Sequence, residues 1–121
     1  MALLPPTLDG FDLEDGLDRM LNKPELYMKF IFRLVDDHGN DGAAVRAALD
    51  AGDWDSAHRV AHMLKGSAGN VSAKDLYQAA MDLDEAIKRE QQDLDDLLAA
   101  FDAELARVSA SAATLTRPEN T

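Results

Sequence analysis

His58, His62, Lys65, Gly66 and Gly69 are linked by spacings of three and four residues: 58 to 62, 62 to 65 and to 66, 65 to 69 and 66 to 69. On a helix turning about 100° per residue, such spacing gathers them on one strip. Neutral imidazole is a competent nitrogen nucleophile near pH 7, because its ordinary pKa is about 6.5. Such a nitrogen takes a phosphoryl group and surrenders it readily, since the P–N link is labile. The transfer passes through a loose transition state with charge on the equatorial oxygens, so positioning and positive charge do most of the work. Lys65, three residues beyond His62, is placed to supply that charge. Standing alone it would read as an ordinary solvated lysine. Gly66 lies four residues beyond His62 and leaves that ring bare on its C-terminal side. A glycine costs a helix interior about 0.8–1 kcal/mol relative to alanine. Two such losses on one strip imply close approach by another body, which a side chain would hold away. A helix simply ending at Gly66 fits poorly with Val71, which continues the apolar stripe.

The helix that must carry this strip is predicted from Trp54 to about Val71, with Asp53 as its N-cap. Its core face is Ala57, Val60, Ala61, Leu64, Ala68 and Val71, and the histidine strip is centred about 120° away. Apolar positions recur at three and four elsewhere too, and no strand pattern is present. A first short helix carries Phe11, Leu17, Met20 and Leu21. Asn22 suits the N-cap of the next helix, with Pro24 in its first turn. That helix carries Leu26, Tyr27, Phe30, Ile31 and Leu34 and stops near Gly39 and Asn40. An Ala-rich helix from about Gly42 to Ala51 ends at Gly52. Ser72 and Asp75 resemble a capping box opening a helix with Leu76, Ala79, Ala80, Leu83, Ala86 and Ile87 inside. The last helix presents Leu94, Leu97, Leu98, Phe101, Leu105 and Val108. The expected fold is all-α: an antiparallel four-helix bundle with additional short N-terminal helices. Residues 1–10 are expected as an extended leader, 11–112 as the bundle and 113–121 as a frayed tail.

A chain of 121 residues suits one domain, and 46% hydrophobic with 29% charged residues is ordinary globular composition. No apolar run approaches the roughly 18 residues of a membrane span, and the start lacks the pattern of a secretory signal. The absence of cysteine excludes disulfides and thiolate metal sites, and a reducing cytoplasm is the expected setting. A net charge of −11 argues against nucleic acid and anionic membranes as partners. Residues 56–74 are the exception: Arg59, Lys65 and Lys74 give them +3 with no acidic residue, so the rest carries −14, the difference between −11 and +3. An anion, if handled at all, is handled there.

His58 and His62 also have the four-residue spacing of a two-histidine metal site. The helix lacks the glutamate of a zinc protease motif, Arg59 is an unwelcome neighbour for a cation, and a third ligand would have to be a carboxylate from another helix. No metal is therefore expected, and His58 is read as a neighbour that shapes a docking strip together with Arg59, Met63, Gly66 and Gly69. Among the acidic residues, Asp84 is expected to face the histidine strip from the next helix and to belong with the partner-binding residues; the others belong on solvated faces.

The string Ala61-His62-Met63-Leu64-Lys65-Gly66-Ser67-Ala68-Gly69-Asn70 closely resembles the signature of the histidine-containing phosphotransfer (HPt) domains of bacterial multistep phosphorelays. The resemblance extends to Gly16-Leu17, Tyr27, Phe30 and Gly52-Asp53-Trp54, and covers the chain from about Phe11 to Glu90. It departs at Ser72, where the family usually has glycine. It implies His62 as phosphoacceptor, Lys65 as the residue assisting the phosphoryl group, and Gly66 as the clearance for a docking receiver domain. It further implies response-regulator receivers as partners, with Mg²⁺ on the receiver and no cofactor here. The leader is similar to the entry of phosphotransfer domains at the ends of hybrid sensor kinases. No P-loop or kinase glycine loop is present, so the chain is expected to lack kinase activity of its own; a short, acidic, single bundle with no extra apolar stripe is expected to be a monomer. The reading from a different class is a helical docking module that binds a partner through the histidine face without phosphorylation.

Overall fold

The computed structural model describes residues 4–117. Six helices run through them: α1 (Leu13–Arg19), α2 (Pro24–His38), α3 (Asp41–Asp50), α4 (Trp54–Asn70), α5 (Lys74–Lys88) and α6 (Asp95–Ala113). Short turns fold α3 on α4, α4 on α5, and α5 on α6, so each packs antiparallel to its neighbour. The fourth side is shared, because α2 and α3 each pack against both α4 and α6. The Arg46–Asp102 ion pair sets α3 beside the N-terminal half of α6, and Arg117 to Asp36 ties the chain beyond α6 to α2. The fold is thus the expected all-α bundle. The shorter helices are expected at one end of the bundle, but α3 instead fills half a side, against α4 and α6.

The core is the apolar face of each helix. On α4 the residues Ala57, Ala61, Leu64 and Ala68 are buried, followed by Val71. On α5 they are Leu76, Ala79, Ala80, Leu83, Ala86 and Ile87, and on α6 Leu98, Phe101, Leu105 and Val108. α4 and α5 make the most intimate pair, since alanines on both let the backbones come close. Among the described residues no helix is long and apolar enough to cross a membrane.

The helix ends show where reading by residue type falls short. Asp53 caps α4 as expected, its carboxylate accepting from the Ser56 N–H at 3.0 Å and the Ser56 hydroxyl at 2.7 Å. Gly52 closes α3 in the left-handed region (φ +71°), and the Asp53 N–H donates back to the Ala48 carbonyl. The same closure ends α4 at Ser72 (φ +56°) and α5 at Glu90 (φ +52°), with Ala73 N–H to Ala68 O and Gln91 N–H to Ala86 O. Neither is glycine. Asn22 is not the N-cap of α2: it too is left-handed (φ +58°), and Lys23 precedes the helix without a side-chain cap. The Ser72/Asp75 capping box does not form either. Ala73 is the cap residue of α5, the Ser72 hydroxyl donates to Asp15, and Asp75 accepts from Arg107.

The departure at Ser72 has a physical cause, which is the seat of α1 on the α4–α5 turn. The Asp12 N–H donates to the Ser72 carbonyl at 2.9 Å, and Lys74 donates to the Asp12 carboxylate at 2.9 Å. Hydrogen bonds from Ser72 and then Arg19 hold the Asp15 carboxyl below the usual range. Gly16 lets α1 sit against α2, because a Cβ there would lie 2.1 Å from the Tyr27 ring. Tyr27 in turn donates its hydroxyl to the Val71 carbonyl at 2.6 Å, and burial pushes the phenol's pKa up, so it stays a donor. Tyr27→Phe should cost about 1–3 kcal/mol by stripping that buried carbonyl of its donor. A lower urea midpoint with an unchanged slope is the expected reading; an unchanged midpoint would mean that the bond contributes nothing net.

Two terminal expectations meet partial answers. Leu8 of the leader is buried and pairs with Phe11, and Arg107 holds Asp9. Beyond α6, Leu115 packs on the core and Arg117 lies over the Phe32 ring while pairing with Asp36. As far as residue 117, then, the stretch expected to fray is tied down. Residues 1–3 and 118–121 lie outside the described residues.

Candidate functional site

α4 presents the strip beside α5. His58 and His62 stack along one face with ring centroids 5.4 Å apart and planes tilted by 38°. Asp84 of α5 is 1% exposed, so it is not the partner-binding residue expected, and it meets both rings instead: one carboxylate oxygen accepts from His58 Nδ1, the other from His62 Nδ1 at 3.3 Å. Lys65 Nζ stands 3.9 Å from the second oxygen. A carboxylate only accepts, so the proton on His62 belongs on Nδ1, and Nε2 keeps its lone pair. The His62 side chain is 56% exposed and that of His58 38%. The site is an open imidazole with its tautomer set by a buried anion and an ammonium beside it.

Asp84 has this position because of its register. It follows Leu83 and lies one turn beyond Ala80, on the border between the inner stripe of α5 and the face turned to α4. Its charge is out of water, and a buried charge must be matched by donors; the two imidazoles and Lys65 are what it finds.

The two glycines of the strip part company. A Cβ built on Gly66 meets nothing within 4 Å, so the surface one turn beyond His62 is open. At Gly69 a Cβ would come 3.3 Å from the Tyr77 ring of α5. The close-approaching body there is the chain's own tyrosine. Arg59 and Met63 lie on the side of α4 away from Asp84, and Met63 is 58% exposed. A shallow groove runs on from Gly66 past Gly69 and Tyr77 to Asp15, Arg19 and Lys74, so α1 borders this surface. Neither Tyr77 nor the chain His38 to Ser67 and Asp41 was signalled by spacing. His38 Nδ1 faces Asp41 at 2.7 Å and Nε2 faces the Ser67 hydroxyl at 3.2 Å. Tyr77 reaches from α5 to α4, and the His38–Ser67 contact joins α2 to α4 across 29 residues of chain.

An exposed imidazole with its tautomer set and an ammonium beside it is chemically suited to take up and give up a phosphoryl group. The family model of the Hpt domain matches residues 30–111. The chain belongs to that family, whose domains are phosphotransfer modules of two-component signalling, without kinase activity, that work with the receiver domains of response regulators. Comparison with curated proteins and with solved structures returned no match.

Proposed function

We propose that the chain is a phosphorelay intermediate in which His62 accepts a phosphoryl group from one receiver's phospho-aspartate and passes it to another receiver. The observation that carries this is the hold of buried Asp84 on His62 Nδ1, which leaves Nε2 as the unprotonated nitrogen on an exposed ring. In the accepting step the P–O bond to the receiver's aspartate breaks as the P–Nε2 bond forms. The aspartate leaves as carboxylate, and the charge gained by the ring is met by Asp84 through Nδ1–H. Lys65 turns its ammonium from Asp84 toward the phosphoryl oxygens. Mg²⁺ comes with the receiver. His58, Arg59, Met63 and Gly66 form the docking surface, with Gly69 at its edge. The donor is the receiver of a hybrid sensor kinase, the setting is the cytoplasm, and the chain acts as a monomer.

The test is incubation of the purified chain with a phosphorylated receiver. An acid-labile, base-stable label on the chain supports the reading. Binding without label leaves only a docking module. Lys65→Ala should slow transfer without abolishing docking. The slowing should fall short of the roughly 100-fold that a donor in a dry oxyanion hole supplies, because the strip is wet. Loss of receiver binding in that variant would reassign Lys65 to docking.

A further inference from the structure

We propose that His58, His62 and Asp84 form a zinc site, and that zinc bound there prevents His62 from accepting a phosphoryl group. Spacing alone supplied two ligands and lacked a third. The fold brings the third from α5: one donor atom from each of His58, His62 and Asp84 lies within 4.8 Å of the others. Both imidazoles present Nδ1 to the same carboxylate, each to a different oxygen, so all three side chains offer a donor atom to one small region between α4 and α5.

The chemistry of the donors selects the ion. Two imidazoles and one carboxylate, with a fourth position open to water, suit tetrahedral zinc. Hard cations such as Mg²⁺ prefer all-oxygen cages. The buried carboxylate favours a cation as well, because the donors now facing it are two imidazoles and an ammonium at 3.9 Å, beyond hydrogen-bonding distance. The partly exposed rings leave an entry path. Lys65 is the competing cation, on a flexible stem that lets it swing away.

The consequence for His62 follows from proton bookkeeping, and this half rests on the phosphoacceptor reading above. With Asp84 as partner, Nδ1 carries the proton and Nε2 the lone pair. With zinc on Nδ1, the neutral ring keeps its single proton on Nε2, the atom that must attack phosphorus. The metal-loaded ring is therefore in the wrong tautomer to accept.

Zinc titrated calorimetrically into the whole chain should bind one to one, and ¹⁵N spectra should show Nδ1 of His58 and His62 shifting while His38 does not. Losing a ligand should weaken binding by at least the roughly 10–100-fold that even outer-shell losses cost, in both His58→Ala and Asp84→Asn, with circular dichroism confirming the helices. No binding, or unchanged affinity in folded His58→Ala, overturns the site. Phosphoramidate, whose phosphoryl group moves to Nε2 with loss of ammonia, then reads acceptance without any receiver. Zinc should suppress labelling, a chelator should restore it, and the labelling that remains in His58→Ala should ignore the same zinc. Labelling of the zinc-loaded chain at the metal-free rate overturns the blockade. Failure of the metal-free chain to label overturns the phosphoacceptor reading and the blockade with it, while the zinc site stands on the titration.

Discussion

His62→Gln takes up no label from a phosphorylated receiver, yet folds and docks as the parent chain does. The His62 side chain is more than half in solvent and contributes nothing to the core, so replacing it opens no cavity. Glutamine is a better helix former than histidine, and its amide can still donate toward Asp84. What disappears is the ring nitrogen. The loss is therefore all-or-none in label and near zero in melting temperature and receiver affinity. His58 is the control built into the site, since it faces the same carboxylate and lies one turn away. Label persisting in His62→Gln and vanishing in His58→Gln would move the acceptor to His58.

Gly66→Leu has an effect of similar size by a different route. Nothing lies within 4 Å of a Cβ at this position, so leucine enters without displacing any neighbour. Exchanging glycine for leucine in a helix interior favours the fold by about 0.5–1 kcal/mol. The variant should melt no lower than the parent. The added side chain stands one turn beyond His62, where a receiver must come close to bring phosphorus to Nε2. Misplacement by about 1 Å costs roughly 100-fold in rate, and leucine imposes more than that, so transfer falls by at least this factor. Rates equal to the parent's in a folded Gly66→Leu would remove the clearance role. Stabilisation with loss of transfer would show that this glycine is kept for a partner and not for the fold.

Gly69 makes the contrast useful. In a helical projection it belongs with Gly66, and both were read as clearance for a partner. Its Cβ would press on Tyr77, so the cause of this glycine is internal packing. Periodicity places residues around one helix and is silent about what lies across from each. Ser72 carries the same lesson. The family's glycine is explained by a left-handed backbone there, and serine adopts it while its hydroxyl finds Asp15.

Order along the chain was enough for the all-helical class, the inner face of nearly every helix, the Asp53 cap and the strip with His62, Lys65 and Gly66 on it. These are local properties: a 3.6-residue repeat and a capping residue act within one or two turns. It also marked Asp84 as a residue turned toward that strip. It took the packing of the helices to show that one buried carboxylate serves two imidazoles, that α2 and α3 share a side, and that Tyr77 lies over Gly69. The folded chain also showed that Ser72 and Glu90 close helices where residue type names glycine. The grip of Asp84 on two imidazoles, the Ser72 turn and the Tyr77 contact depend on groups 8 to 57 residues apart meeting across helix–helix contacts. No rule of spacing along the chain encodes that meeting, because the packing of whole faces selects it.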